Sequence, residues 1–164
     1  MPDDALKRPL NFAGSLAIIR LSHAENLDGI AIIENRLPHG YATPLHIHET
    51  QDEVFQILWG RIRFEVAGKT LTAGSGDILH APQGIPHRFI VESPDGANIL
   101  VITRGRDFET FVLDVSSPIS QESLCALTPM SEADIERVGT AAARNGIRLI
   151  GPPLTLPDVR QAAA

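Results

Sequence analysis

Gly40–Gly60 reads GYATPLHIHETQDEVFQILWG, and three residues inside it decide how the chain folds. His46 and His48 are two apart, between Leu45 and Glu49. On an extended strand alternate side chains share a face, so both imidazoles project the same way. Glu53 has the opposite parity, so the chain must turn or bulge across Glu49–Asp52 before its carboxylate can join them. The polar Thr50-Gln51-Asp52 stretch suits that turn. A second segment, Gly76–His87, reads GDILHAPQGIPH. Its Pro82–Pro86 corner leads into a new strand at His87 that can return beside the first.

Three imidazoles and one carboxylate form a mixed nitrogen and oxygen donor set. Such a set suits Fe, Mn, Ni, Co, Cu or Zn and leaves coordination positions for water, substrate or O2. A lone histidine reads best as a surface residue or a satisfied core residue. The set reads differently, because the chain's own frequencies of Gly, His and Glu give the first segment about one chance in ten thousand.

Outward from these segments lie short, β-branched apolar runs separated by turn residues. They are Leu16–Leu21, Gly29–Leu37, Glu53–Trp59, Arg61–Val66, Asp77–Ala81, His87–Glu92 and Ala97–Thr103. The turns Ala67-Gly68-Lys69, Gly74-Ser75-Gly76 and Pro94-Asp95-Gly96 supply the residues that unusual backbone angles need. Short strands at this spacing predict an all-β sandwich or barrel. No helices of 10–15 residues alternate with them, which argues against a parallel α/β sheet.

After about Thr103 the pattern changes. Phe108, Phe111, Val112 and Val115 fall at helical spacing within Arg106–Val115. Ser131-Glu132-Ala133-Asp134 is a near capping box that opens a second helix, and Gly146 is its expected C-cap. Ser116, Ser117 and Pro118 break the chain between them, and Gly151-Pro152-Pro153 is expected to end regular structure. The expected organisation is a barrel over residues 1–104 and a short helical C-terminal extension over 105–164 that packs on it.

Composition excludes several partners. At 164 residues the chain fits one domain with a real core. Hydrophobic residues are 43% and charged residues 21%, too apolar for a disordered chain. The longest stretch free of charge, Leu37–His48, is far shorter than the run of about 20 residues that a membrane helix needs. The start, MPDDALKRPL, lacks the apolar core of a secretory leader, so a cytoplasmic protein is expected. A net charge of −6 argues against nucleic acid or an anionic membrane as partner. The single cysteine, Cys125, excludes an internal disulfide and any multi-cysteine zinc site.

The two quoted segments resemble the signature motifs of the cupins, small double-stranded β-helix (jelly-roll) barrels with a metal inside. The resemblance runs from about Gly29 to Thr103. It implies that His46, His48, Glu53 and His87 are the ligands of one divalent transition metal. One departure is Val91, which stands where the second motif often ends in an asparagine that is not a ligand. In the tail, Phe108–Leu113 (FETFVL) and Arg144–Pro153 (RNGIRLIGPP) are similar to the C-terminal extension of bacterial single-cupin proteins related to quercetin 2,3-dioxygenase. That likeness implies a dioxygenase acting on a flavonol or related enol-bearing aromatic, with Glu53 as both ligand and general base. O2 and a small molecule are then the partners.

Other metal cupins are isomerases, lyases or decarboxylases, and some bind small molecules without turnover. Phosphosugars need Arg or Lys in the pocket. Arg88 is the one candidate, and its parity opposes His87. The tract before the barrel is too short for the helix-turn-helix of a regulator. Regular alternation puts Phe55, Ile57 and Trp59 on the Glu53 face and Phe89 on the His87 face, lining a pocket or simply filling the core. His80 can point either way. Tyr41 and Gln56 could offer a hydroxyl and an amide to substrate, while His23 and His39 read as solvated. Arg61, Arg63 and Glu65 form a solvated strand face. Small barrels often pair through edges or sheet faces, so a homodimer is expected.

Overall fold

Glycine and proline punctuation cuts the chain into strands of two to eight residues. The computed structural model describes residues 7–119 and 130–157. In chain order the strands are β1 (Leu10–Phe12), β2 (Ser15–Leu21), β3 (Ile30–Leu37), β4 (Pro44–His48), β5 (Glu53–Trp59) and β6 (Ile62–Val66). They continue as β7 (Lys69–Ala73), β8 (Ile78–Ala81), β9 (His87–Val91), β10 (Ala97–Arg104), β11 (Ser117–Pro118) and β12 (Ile147–Pro153). Helix α1 (Asp107–Val115) lies between β10 and β11, and α2 (Glu132–Arg144) precedes β12.

Two antiparallel sheets face each other. The larger runs β11-β1-β2-β3-β10-β5-β8 and the smaller β12-β4-β9-β6-β7. Register explains the core: Ile33 pairs with Val101 and Val101 with Phe55, while Ile99 pairs with Ile57. All of these side chains are buried. From the facing sheet come Phe64 and Phe89, with ring centroids 5.4 Å apart and 5.2 and 5.9 Å from Phe55. This is the all-β architecture expected from the strand pattern, in the jelly-roll form that the resemblance implies.

Helix α1 begins one residue later than the pattern predicts, because Arg106 serves as its N-cap residue. Its Phe108, Phe111, Val112 and Val115 are all buried, the predicted apolar face. Such burial stabilises by about 1.5–3 kcal/mol for each large side chain. Phe108 and Phe111 close edge to face on Phe12 of β1, at 6.4 and 5.5 Å. At α2, the Ser131 side chain accepts from the Asp134 backbone N–H, and its hydroxyl donates to Asp134 Oδ2 at 2.7 Å. Gly146, at φ +67°, takes the chain out of the helix.

Two expectations about the tail are corrected. Gly151-Pro152-Pro153 does not end regular structure but completes β12, which pairs with β4. A strand at the edge of a sheet tolerates proline, because one side makes no ladder bonds. The register shifts around Gly151, where an added Cβ would come within 3.2 Å of Leu45 Cβ. Likewise Ser117–Pro118 is a short edge strand on β1 rather than a plain break. Cys125 lies outside the described residues. No helix among the described residues is long and apolar enough to cross a membrane.

Candidate metal centre

β4 presents His46 and His48 on one buried face. Directly across the sheet, His87 at the start of β9 stands in register with His46. Glu53 reaches them from the other sheet, because the chain crosses between the sheets through Glu49–Asp52. That crossing is tied to the Pro82–Pro86 corner. The Gln83 backbone N–H donates to Asp52 Oδ1 at 2.7 Å, its side-chain amide donates to Glu49 O at 2.7 Å, and Gly84 N–H donates to His48 O at 2.9 Å. The two motifs therefore brace each other.

One donor atom from each of His46, His48, Glu53 and His87 lies within 4.8 Å of the other three. Donors held about 2.1 Å from one ion are at most about 4.2 Å apart, so small side-chain adjustments close the set. His87 Nε2 is 2.9 Å and His48 Nε2 3.1 Å from the same Glu53 oxygen. The His46 and His87 Nδ1 atoms lie 2.8 and 3.0 Å from the carbonyls of Pro44 and Ile85. A carbonyl only accepts, so Nδ1 carries the proton in both rings and Nε2 is left for the centre. Both ring nitrogens of His48 are buried with no hydrogen bond among the described residues, since the 3.1 Å approach to Glu53 lacks hydrogen-bond alignment. A buried imidazole without partners is costly unless it ligates something. The donor set and this orphaned ring fit a divalent transition metal.

The electrostatics keep His46 and Glu53 in ligating form, while Glu53 favours a proton on His87 that a metal would displace. Burial, then the neighbouring His87, holds His46 down at about 4, so it is neutral near pH 7. Burial pushes the Glu53 carboxyl up, but the charge of His48, 3.1 Å away, followed by the hydrogen bond and charge of His87, outweighs it and holds it well below the usual carboxylate range. Burial likewise lowers His87, and its hydrogen bond and attraction to Glu53 reverse the sign, raising it.

The other candidate residues divide. Phe55 and Ile57 share the inward face with Glu53, and Phe89 lies between Phe55 and a stacked Tyr41 at 6.3 Å. Trp59 does not follow, being 40% exposed. A bulge between the pairs Asn98–Trp59 and Ile99–Ile57 breaks the alternation and turns it outward. His80 also points out of the barrel, with its imidazole 3.4 Å from the exposed Asp52, because Leu79 and Ala81 take the inward positions of β8. Arg88 donates to Glu65 at 2.9 Å and to Pro152 O at 2.8 Å, away from the ligands. Gln56 is half-buried on the outer face. His39 lies 3.1 Å from Ser93 O, and His23 is half-buried with Nδ1 2.9 Å from Glu109.

Gln51, Glu109 and Thr103 carried no local signal for their roles, and Phe108 showed only its helix face and not its place over the site. Phe108 of α1 lies over His48 with centroids 5.8 Å apart. Gln51 is buried and spans to α1, accepting from Phe108 N–H and donating to Arg104 O. Glu109, also buried, accepts from Ser22 Oγ and the His23 backbone N–H. Thr103 is the cross-strand neighbour of Glu53. Only the register and the helix docking reveal them.

Residues 33–103 match the family model described as "Cupin domain", and with the two-sheet barrel this supports the cupin superfamily. The fold is similar to the crystal structure of a predicted oxalate decarboxylase from Thermotoga maritima, with TM-score 0.54 and 22% identity over 62% of this chain and 96% of that one. It is also similar to TT1209 from Thermus thermophilus (TM-score 0.51, 25% identity, 64% of this chain and 96% of that one). KdgF from Halomonas sp. gives TM-score 0.51 and 22% identity over 58% of this chain and 84% of that one. No curated protein matches the chain in sequence.

Proposed function

We propose that the protein is a metal-dependent cupin oxidoreductase, a dioxygenase acting on a flavonol or related enol-bearing aromatic. The observation that carries this reading is the convergence of His46, His48, Glu53 and His87, with neither buried ring nitrogen of His48 hydrogen-bonded. When bound, a divalent transition metal there would polarise an enol or phenol oxygen and offer an electron path to O2.

The chain's own groups support the rest. Glu53 is ionised and held well below the usual carboxylate range, so it would accept the proton of a substrate hydroxyl only as its bond to the metal loosens. Phe55 against His87 and Phe108 against His48 give the ligands apolar neighbours, with Phe89 behind Phe55, which suits a planar aromatic. Arg88, the cation nearest the ligands in sequence, is engaged outside with Glu65, which disfavours a phosphorylated substrate.

The test is anaerobic incubation of protein loaded with Ni, Co, Mn or Fe with a flavonol, followed by admission of air. Loss of the flavonol absorption with matching oxygen uptake is expected. No spectral loss with any metal overturns the dioxygenase reading. Turnover without oxygen would instead point to an isomerase, lyase or decarboxylase. Ligand binding without turnover, unchanged in His46→Ala, would point to a binding module.

A further inference from the structure

The inward row of β10 reads Ala97, Ile99, Val101, Thr103, four buried side chains of which only the last is polar. Thr103 stands directly opposite Ala31 on one side and Glu53 on the other. Opposed residues of an antiparallel pair have Cα atoms about 5 Å apart and share a face. The Thr103 side chain therefore lies on the same inward face as Glu53.

Its Oγ1 is buried, yet it has no hydrogen-bond partner among the described residues. Threonine and valine have nearly the same shape, so packing alone would be served equally well by valine. A hydroxyl buried without a partner loses its hydration and gains nothing in return. The buried His48 ring is accounted for by the metal centre, but the Thr103 hydroxyl is not, and a molecule seated beside Glu53 can satisfy it.

We propose that the Thr103 hydroxyl donates a hydrogen bond to the small anionic ligand, an enolate or carboxylate, that occupies the His46–His48–Glu53–His87 centre. The assignment rests on the metal-centre reading. Thr103 is placed to contact and orient the ligand atom beside Glu53, while the four ligands hold the metal. Ser22, which bonds Glu109, and Thr50, which bonds Asp107, have partners, and this separates Thr103 from them.

The experiment compares wild type, Thr103→Val and Thr103→Ser, each metal-free and loaded with Co(II), using azide as the anionic probe. Metal-free Thr103→Val should melt at or above the wild-type temperature, because it loses an unpaired hydroxyl. It should take up Co(II) with unchanged stoichiometry but bind azide about tenfold more weakly in a visible-absorption titration, with Thr103→Ser restoring affinity. Equal azide affinity in wild type and Thr103→Val overturns the assignment. So does a metal-free Thr103→Val that melts markedly lower, since the hydroxyl would then have a structural partner. Wild type that takes up Co(II) but binds no azide also removes it. If wild type takes up no Co(II), the metal-centre reading itself fails and the Thr103 role falls with it.

Discussion

Phe108 of α1 rests against His48 of β4, with ring centroids 5.8 Å apart and planes inclined at 58°. A residue of the C-terminal extension thus forms part of the wall around a ligand. Phe108→Ala should destabilise the fold by about 3 kcal/mol and open His48 to water. Denaturant melts give the first quantity. Release of Co(II) to a chelator gives the second and should be faster in the variant, whereas Phe108→Leu should largely preserve both.

His48→Ala, His87→Ala and His46→Ala each remove one donor from a set of four. Metal affinity should fall by more than about a hundredfold, beyond the loss typical of groups that only support ligands. Metal content after purification without chelator reads this directly. A variant that retains the wild-type metal content would remove that histidine from the centre.

Glu109 fastens α1 to the turn after β2. Its carboxylate accepts from Ser22 Oγ at 2.6 Å, from His23 N–H at 2.8 Å and from His23 Nδ1 at 2.9 Å. Glu109→Ala strands these donors and should cost about 2–3 kcal/mol. Protease cleavage within 105–119 should accelerate along with the drop in melting temperature.

Acid should act through Glu34 on the outer face of the larger sheet. Burial raises its carboxyl, but the hydrogen bond from Asn98 and the charge of Arg20 outweigh this and lower it. A folded value below the unfolded one means that the contribution is complete above the ordinary 4.5 and is lost as pH falls through the folded value. Glu34→Gln should therefore be less stable than wild type near pH 7, and the gap should narrow towards pH 3. Urea titrations across that range measure it, and a gap that widens in acid would contradict the sign.

Gly60 closes the first motif for a steric reason. It sits at φ +95°, and a Cβ there would lie 2.6 Å from Ala97 Cβ and 2.7 Å from Gly96 O. Gly60→Ala should cost about 2 kcal/mol or more, read as a shift in denaturation midpoint.

The ligands were legible in the sequence because metal chemistry restricts residue type and the strand fixes parity. His46 and His48 needed only a two-residue repeat, and Glu53 only the inference of a turn or bulge across Glu49–Asp52, which the structure resolves as a crossing between sheets. Trp59 and His80 were not, for different reasons. A bulge reset the face of Trp59, and the short β8 could be read in either phase. β12 was hidden because Gly151-Pro152-Pro153 carries the residues of a stop, and only its place at a sheet edge makes them compatible with a strand. Thr103, Gln51 and Glu109 acquire their settings from partners between 50 and 87 residues away, which no local pattern encodes.

The pairing of β12 with β4 also orders events in time. Ile147 lies opposite His48 and Leu149 opposite His46, so one neighbour of the ligand strand arrives about a hundred residues after it. During synthesis His46 and His48 leave the ribosome long before their outer flank exists. β12 supplies none of the four donors, but the strand that carries two of them is framed on both sides only once the chain has reached Pro153, so its framing is coupled to the docking of the tail.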